Sequence, residues 1–490
     1  MRRYIAEGLY EYISKNHSIW HMPGHKRKEF TLDKSGLDTE YVDNILNQTD
    51  AIDVTEVPGT DDLHNPTEMI KASEDELAKV YHTFASYYLV NGSTCGIMAA
   101  VAACCEVGDK IIIADNCHKS VHNIAELLML NKIYISFENS DYMRSTSVDE
   151  VKRLCMENPD AKAVVITSPL YEGVVSDIKS IGDVAKTYDM RLIVDEAHGA
   201  ALPFIAGRSE YENIMVLPLS AVYLGADVVV QSLHKTLPSM TQTAILHVQN
   251  EVLDKNIRKY LSVFMSSSPS YIMLCSMERA VALASKWDYT DYLNELKSFR
   301  EKFKSKIKNF LLLDSESSDK IFAYDCTRLV VRIKNNKEDK VNNKILAGAI
   351  LESILSDRYN IVCEMSGIDY VVLISTIADE KKDYEYLYNS IKELDENYDD
   401  IIGNFLSINY KSAEITDREE TLSDMGFRNE EYRKKTIKIL DALEGEIAKD
   451  NIYVYPPGIY LVKKGESYTR EKLDELREYV NSGKQLHGEL

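Results

Sequence analysis

Long apolar runs are missing from this sequence. The longest run near the motifs described below, residues 97–105, is far shorter than the roughly 20 residues that a membrane-spanning helix needs. Residues 1–17 include basic side chains but no apolar stretch followed by a cleavage-like site, so we expect no signal peptide. These absences favour a cytoplasmic protein without a membrane partner.

Paired cysteines and positive charge are also scarce. The eight cysteines include no CxxC pair and lie in core-like segments, which favours reduced, buried thiols over disulfides or a zinc site. We therefore expect no bound metal. The chain has 57 lysines and arginines against 78 aspartates and glutamates, a formal net charge of −21. This balance disfavours nucleic acid as a partner and is compatible with a small cationic substrate.

A phosphate-binding loop of the GxxxxGK[ST] type is absent too. The absence matters because residues 195–198 read DEAH, as in helicases that use such a loop to hold nucleotide phosphates. The only Gly–Lys pair, Gly483–Lys484, is followed by glutamine. We therefore reject a helicase.

The chain does contain short apolar runs that alternate with helical patterns. Seven of them predict strands, at residues 86–91, 110–115, 133–137, 162–167, 190–195, 227–232 and 243–248. Strands that are apolar on both faces and alternate with helices predict an α/β fold with a mostly parallel seven-stranded sheet.

The length predicts more than one domain, because 490 residues exceed the roughly 250–300 at which a single core stops growing. We divide the chain into an N-terminal segment (1–60), a large domain (61–290) and a smaller C-terminal α/β region (291–490). A long amphipathic pattern at 289–310 leads out of the large domain. Further strands are predicted at 329–334, 360–364 and 370–375, with a helix near 341–357.

Polar residues follow several predicted strands. Ser93 and Thr94 lie in NGSTCG, a loop of small residues that opens a helix and suits a phosphate. His118 follows the second strand, and Asp195 ends the fifth. Taken singly, each residue also fits an ordinary helix cap or loop.

A lysine stands where lysine is uncommon. Lys235 lies in SLHKTLPSMTQTA, between a β-branched strand and a turn broken by proline. A phosphate loop, a buried aspartate, a flat histidine and a lysine at strand ends together fit pyridoxal phosphate. In such sites the lysine binds the aldehyde and the aspartate keeps the ring nitrogen protonated. We therefore predict that Lys235 carries this cofactor, with Ser232 and His234 as further phosphate ligands.

Nine segments resemble, in order, the fold-type-I Orn/Lys/Arg decarboxylases, and within them the shorter bacterial arginine-decarboxylase-like branch. They are HMPGHK (21–26), DVTEVPGTDDLH (53–64), VNGSTCG (90–96), NCHKSV (116–121), TSPLYEGVVSDI (167–178), VDEAHGA (194–200), QSLHKTLPSMTQ (231–242), SSSPSY (266–271) and YPPGI (455–459). The resemblance therefore covers nearly the whole chain and implies a transferase-like fold of the pyridoxal-phosphate enzymes.

The resemblance also implies a role for each residue of the cofactor site. It assigns the phosphate to Ser93, Thr94, Ser232 and His234. It implies that His118 stacks on the ring, that Ala197 lies under the other face and that Asp195 pairs with the ring nitrogen. His198 would line the cofactor, and Lys235 would be its covalent lysine.

The same resemblance implies a homodimer with shared active sites, or a higher oligomer built from it. In such enzymes the SSSPSY loop reaches into the neighbouring subunit's site, so we expect Ser266 or Ser267 to contact the partner's phosphate. The alternative is that these serines only cap a helix.

The implied activity is decarboxylation of a basic amino acid, a lyase reaction of polyamine biosynthesis. The shorter branch favours L-arginine, giving agmatine; lysine or ornithine, giving cadaverine or putrescine, is the alternative. A catalytically silent regulatory relative and a transaminase also stay open. Glu364 is the candidate carboxylate for the distal cation of the substrate, although an exposed acid is the alternative interpretation.

The chain departs from the family pattern at three places. The histidine usual soon after DEAHGA is replaced by Ala200, Ala201 and Leu202. YPPGI continues as YLVKKGE instead of with the family's more common prolines, and residues 405–435 match poorly. None of these departures removes a cofactor group.

Overall fold

The structure of the protein is a computed structural model. It describes residues 17–26, 28, 53–57, 60–136, 143–334, 347–403, 430–454, 458–481 and 484–490. The predictions for residues 405–429, for the helix start at 341–346 and for Tyr455, Pro456 and Pro457 of YPPGI lie outside the described residues.

The strands are short. They are β1 (Ser18–Trp20), β2 (Ala85–Leu89), β3 (Lys110–Ala114), β4 (Asn131–Ile135), β5 (Ala163–Thr167), β6 (Val174–Val175), β7 (Arg191–Asp195), β8 (Val228–Ser232), β9 (Ala244–Val248), β10 (Phe310–Leu312), β11 (Ala323–Tyr324), β12 (Arg328–Ile333), β13 (Ile361–Cys363), β14 (Met365–Ser366), β15 (Tyr370–Ile374), β16 (Ile452–Val454), β17 (Ile459–Val462) and β18 (Leu486–His487).

The α-helices connect and cover these strands. They are α1 (Met69–Tyr81), α2 (Gly92–Cys104), α3 (Lys119–Leu127), α4 (Val148–Glu157), α5 (Ile178–Thr187), α6 (Leu202–Ile205), α7 (Ser209–Glu212), α8 (Leu233–Thr236), α9 (Glu251–Phe264), α10 (Tyr271–Lys286), α11 (Thr290–Lys306), α12 (Ala347–Tyr359), α13 (Lys381–Glu396), α14 (Glu430–Leu440) and α15 (Arg470–Asn481). Among the described helices, none is long and apolar enough to cross a membrane.

The seven predicted strands form one sheet, in the order β2-β9-β8-β7-β5-β3-β4. The pairs within β8-β7-β5-β3-β4 are parallel, whereas β9 is antiparallel to both of its neighbours. The prediction of a mostly parallel seven-stranded sheet is therefore confirmed. Because the parallel strands point the same way, their carboxyl ends and the loops after them lie along one edge.

Helix α2 crosses the centre of this sheet and is buried on nearly all sides, in keeping with its run of alanines and other small apolar residues. Gly96 permits the close approach: a Cβ atom there would lie 2.5 Å from Leu89 Cδ1 and 3.0 Å from Val230 Cγ1. The same packing fixes the first turn of the helix beside the strand ends.

A second, smaller sheet follows α11 and has the order β10-β12-β15-β14, with antiparallel pairs throughout. Helix α12 packs against it, and α13 packs against α11. The short parallel pair β1–β13 joins residues 18–20 to this region, and the antiparallel pair β6–β11 joins it to the large sheet's loops. This arrangement agrees with the predicted smaller α/β domain.

A third sheet, β17-β16-β18, packs with α14 and α15 around its own apolar core. We call its described residues (430–454, 458–481 and 484–490) the C-terminal unit. The described part of the predicted region 291–490 therefore contains two separate sheets, although the domain boundaries themselves stay a prediction.

Candidate active site

Lys235 lies in α8, the single helical turn that directly follows β8. Its Nζ atom is 2.8 Å from His198 Nε2 and 5.3 Å from the centroid of the Tyr171 ring. Burial lowers the pKa of Lys235 to about 8, while the nearby carboxylates of Asp195 and Glu364 oppose that shift. A lysine in this setting is a better nucleophile near neutral pH than an exposed one.

Asp195 is the last residue of β7 and its side chain is buried. Its Oδ1 accepts a hydrogen bond of 3.1 Å from the backbone N–H of Ala197. Burial raises the pKa of Asp195, and the positive charge of Lys235 counteracts part of this effect. A buried carboxylate of this kind is stabilised by a cationic partner, such as a protonated ring nitrogen.

His118 is the N-cap of α3, and its Nδ1 accepts a hydrogen bond of 3.2 Å from the Ser120 N–H. Burial lowers the pKa of His118 to about 3, with further lowering by Lys235 and Lys119. The imidazole is therefore neutral at physiological pH, and its orientation is fixed by the first turn of α3. A flat neutral ring at a strand end suits stacking on an aromatic cofactor.

Two of the predicted phosphate ligands, Ser93 and Ser232, meet at the start of α2. Ser232 Oγ donates to Ser93 Oγ over 2.9 Å, and Thr94 is the next residue of the same helical turn. His234 Nδ1 is 2.9 Å from the Thr243 carbonyl oxygen, which can only accept, so this nitrogen carries a proton. Hydroxyls beside free N–H groups at a helix N-terminus form an anion site.

Ser266 also lies near the start of α2. Its N–H donates to Asn91 Oδ1 over 2.9 Å, and its carbonyl oxygen is 2.8 Å from His64 Nε2. Asn91 directly precedes α2, so within one chain the SSSPSY loop lies beside the predicted phosphate loop. The predicted contact of Ser266 or Ser267 with a partner's phosphate stays a prediction.

Among the described residues, some buried polar atoms at the strand ends have no protein partner. They include His198 Nδ1 and both amide atoms of Asn116, which precedes His118 in the same loop. Buried polar atoms are normally paired, so unpaired atoms at the strand ends favour a polar ligand. Together with the lysine, the carboxylate and the hydroxyl cluster, they fit pyridoxal phosphate. Within the described residues, no group of three or more His, Cys, Asp or Glu side chains could hold a metal ion.

The glutamate of the DEAH motif has a structural role. Glu196 Oε2 accepts from Ser220 Oγ (2.5 Å) and Gln231 Nε2 (2.6 Å), and its Oε1 accepts from the Ala221 N–H (2.8 Å). Burial raises its pKa to about 7. The motif therefore places two residues, Asp195 and His198, near the lysine, and a third, Glu196, holds a neighbouring turn.

Tyr171 was missed by the sequence analysis. Its ring lies 4.1 Å, centroid to centroid, from the His198 ring, and its hydroxyl donates to Glu364 Oε1 over 3.0 Å. The Met22 N–H donates to Glu364 Oε2 over 2.9 Å. Glu364 is half-buried, and each of its oxygens accepts one hydrogen bond. Nothing in the sequence marked Tyr171 except its position inside one of the family-like segments.

Arg328 was missed as well. It is fully buried at the start of β12, and its guanidinium donates to the His198 carbonyl oxygen over 2.6 Å. Gly173 allows this approach, since a Cβ there would lie 2.9 Å from the Arg328 side chain. Arg328 thereby fixes the loop that carries Asp195 and His198.

Residues 21–26 connect the lysine helix to the smaller sheet. The Gly24 N–H donates to the His234 carbonyl oxygen (2.7 Å), and Thr376 Oγ1 donates to the Gly24 carbonyl oxygen (2.8 Å). A Cβ on Gly24 would lie 2.7 Å from the Leu237 carbonyl oxygen, so only glycine fits. Lys26 is buried and pairs with Asp379 at 3.2 Å. The segment therefore has a positioning role.

The chain is similar to known proteins of one enzyme family. Residues 5–383 match the model of the family described as Orn/Lys/Arg decarboxylase, major domain. An arginine decarboxylase of Bacillus subtilis is 29% identical over 493 residues, which cover 99% of this chain and 95% of that protein. The inducible lysine decarboxylase of Escherichia coli K12 is 22% identical, over 95% of this chain and 75% of that protein.

Solved structures show the same fold. The crystal structure of the Francisella novicida lysine decarboxylase superposes with a TM-score of 0.68 at 18% identity, over 98% of this chain and 81% of that one. At that identity the similarity concerns the fold alone.

Proposed function

This chain belongs to the Orn/Lys/Arg decarboxylase family, and we propose that it decarboxylates L-arginine to agmatine with pyridoxal phosphate. It is an amino-acid decarboxylase, as the family match over residues 5–383 indicates. The choice of a basic substrate depends above all on one observation: Tyr171 contacts both Lys235 and the carboxylate of Glu364. The positively charged side chain of a substrate bound at Lys235 would therefore find a carboxylate, that of Glu364, within the same site.

Bound pyridoxal phosphate supplies a ring that accepts the electrons left at the α-carbon when carbon dioxide departs. Asp195 would hold the ring nitrogen protonated, and the neutral imidazole of His118 would pack on one face, with Ala197 under the other. Ser93, Thr94, Ser232 and His234 would hold the phosphate at the positive end of α2.

Lys235 would bind the cofactor covalently and release the product. Because burial lowers its pKa to about 8, a larger share of its amine is unprotonated near neutral pH than in an exposed lysine. That share assists displacement of the amine product. His198, whose pKa burial holds well below the usual value, accepts a hydrogen bond from the amine and keeps it directed into the site.

Glu364 would bind the distal cation of the substrate. Each of its oxygens accepts one hydrogen bond, from Tyr171 or Met22, and a carboxylate oxygen can accept a second. A planar guanidinium matches two carboxylate oxygens at once, whereas an ammonium acts as a point charge. The high coverage of the Bacillus subtilis arginine decarboxylase supports the same choice.

The wider proposal follows the family. The enzyme would act in the cytoplasm, in polyamine biosynthesis, as a homodimer or a higher oligomer built from it. In the dimer, Ser266 or Ser267 would contact the partner's phosphate, since a twofold interface exchanges the same patch in both directions.

The test is to incubate the purified chain with pyridoxal phosphate and, separately, arginine, lysine or ornithine, and to identify the amine and the carbon dioxide released. We expect agmatine. Cadaverine or putrescine as the main product would overturn arginine as substrate. Bound cofactor without carbon dioxide release would indicate transamination. If none of the three amino acids reacted, the chain would be a catalytically silent relative.

A further inference from the structure

The loop that carries His118 makes few hydrogen bonds to the large sheet, although the buried Cys117 Sγ donates to the Val165 carbonyl oxygen of β5. After β3 ends, the loop of residues 115–119 makes backbone bonds from Asp115 N–H to the Ile135 carbonyl (3.1 Å) and from Cys117 N–H to the Ala114 carbonyl (3.0 Å). Among the described residues, the ring of His118 hydrogen-bonds only within its own helix turn, to Ser120. A shift of α3 would therefore move the ring with it.

The C-terminal unit contacts both ends of this loop. Lys463 Nζ forms an ion pair with Asp115 and lies 3.4 Å from the centroid of the Tyr134 ring. At the other end, the Lys119 N–H donates to the Gly458 carbonyl oxygen over 3.1 Å. The loop is thus bracketed by two contacts from a unit that has its own core.

The same unit covers one face of α3. Residues 119, 122, 123 and 126 follow the i, i+3, i+4, i+7 spacing of a single helix face. Tyr460 Oη donates to Asn123 Oδ1 (3.1 Å), and Asn451 Nδ2 donates to Glu126 Oε1 (2.8 Å). The ring of His122 lies 4.7 Å from that of Tyr460. All of these contacts come from the C-terminal unit.

We propose that the C-terminal unit positions His118 against the ring of the cofactor, with Lys463 and Tyr460 as the positioning residues. Both lie in YLVKKGE, where the chain departs from the family's more common prolines. A proline could neither pair with Asp115 nor donate to Asn123. The inference rests on the proposed cofactor site and concerns no group that touches the substrate.

The experiment uses the full-length chain freed of cofactor and four variants. Lys463→Met removes the charge and keeps the apolar stem, Lys463→Arg keeps the charge, and Tyr460→Phe removes only the hydroxyl. Arg477→Met is the control, because its ion pairs with Asp441 and Asp474 lie within the C-terminal unit. The dissociation constant of pyridoxal phosphate, the visible circular dichroism of the bound cofactor and backbone hydrogen exchange over residues 115–126 are measured.

We expect Lys463→Met to weaken cofactor binding on the order of tenfold, the usual effect of losing a charged hydrogen bond, and to reduce the circular dichroism band. Exchange over residues 115–126 should rise even without cofactor. Tyr460→Phe should show the same changes more weakly. Lys463→Arg keeps the charge and should therefore give values close to those of the wild type. Arg477→Met should change none of them.

The positioning role would be overturned if Lys463→Met and Tyr460→Phe showed the same cofactor affinity and the same circular dichroism as Arg477→Met. Wild-type protein that binds no pyridoxal phosphate would overturn the proposed function, and this inference with it. The two failures are therefore distinguishable.

Discussion

Lys235 Nζ and His198 Nε2 lie 2.8 Å apart, and this contact joins two segments that are 37 positions apart in the chain. Burial keeps the pKa of His198 well below its usual value, so the ring is neutral, and its Nε2 accepts a hydrogen bond from the protonated amine, which can only donate. The same burial lowers the pKa of Lys235 to about 8. The pair therefore provides a reactive amine with a fixed direction.

The pKa of Lys235 predicts the pH dependence of cofactor uptake. Only the unprotonated amine attacks an aldehyde, and burial lowers this pKa from 10.5 to about 8. The rate at which cofactor-free protein takes up pyridoxal phosphate, followed by absorbance, should rise with pH and level off above about 8. Free lysine under the same conditions is the control. A protein rate that keeps rising up to the usual lysine pKa would contradict the shift.

Replacement of Asp195 by asparagine should separate binding from turnover. Asp195→Asn keeps the shape of the side chain but loses the charge that would hold the ring nitrogen protonated. We expect cofactor still to bind, while kcat falls on the order of 10²–10³-fold, or about 3–4 kcal/mol of transition-state stabilisation. Steady-state kinetics and the absorbance of the bound cofactor measure both quantities. Near-normal kcat would refute this role.

Loss of the charge on Glu364 should affect substrate binding. In Glu364→Gln we expect KM for arginine to rise roughly 10- to 100-fold, because the distal cation loses a charged hydrogen-bond partner. Cofactor affinity should not change. Glu393→Gln is the matched control, since Glu393 pairs with Arg358 on the surface. An unchanged KM in Glu364→Gln would exclude this residue from the cation site.

Shared active sites predict complementation between two inactive subunits. One carries Lys235→Ala, and the other carries Ser266→Trp together with Ser267→Trp. A mixed dimer contains one intact lysine facing one intact loop. With random exchange about half of the dimers are mixed, each with one good site of two, so activity should return to about a quarter of wild type. If subunit exchange is demonstrated and no activity returns, the active sites are not shared and the loop only caps a helix.

The sequence predicted those parts of the molecule whose signal is local. All seven strands of the large sheet were expected because β-branched, apolar runs of that length are buried on both faces. Ser93, His118, Asp195, Ser232 and Lys235 follow or end such strands, and parallel strands bring those ends to one edge. Their meeting was therefore predictable without knowledge of any long-range contact.

Contacts between distant segments were not predictable in this way. Met22 and Glu364 are 342 positions apart, and β1 pairs with β13 through only three residues on each side. Tyr171 and Arg328 reach the site because the β6–β11 pair brings two loops together, and strands of two residues leave no periodic signal. The separate C-terminal sheet was missed because β16 and β18 have only three and two residues.

Reduction with borohydride tests the central claim most directly, because it fixes pyridoxal phosphate on the lysine that binds it. The protein is reduced in the presence of cofactor, digested and analysed by mass spectrometry. We expect the purified protein to be yellow and the label to lie on the peptide that contains Lys235. A label on any other lysine, in protein that still releases carbon dioxide from its substrate, would contradict the assignment.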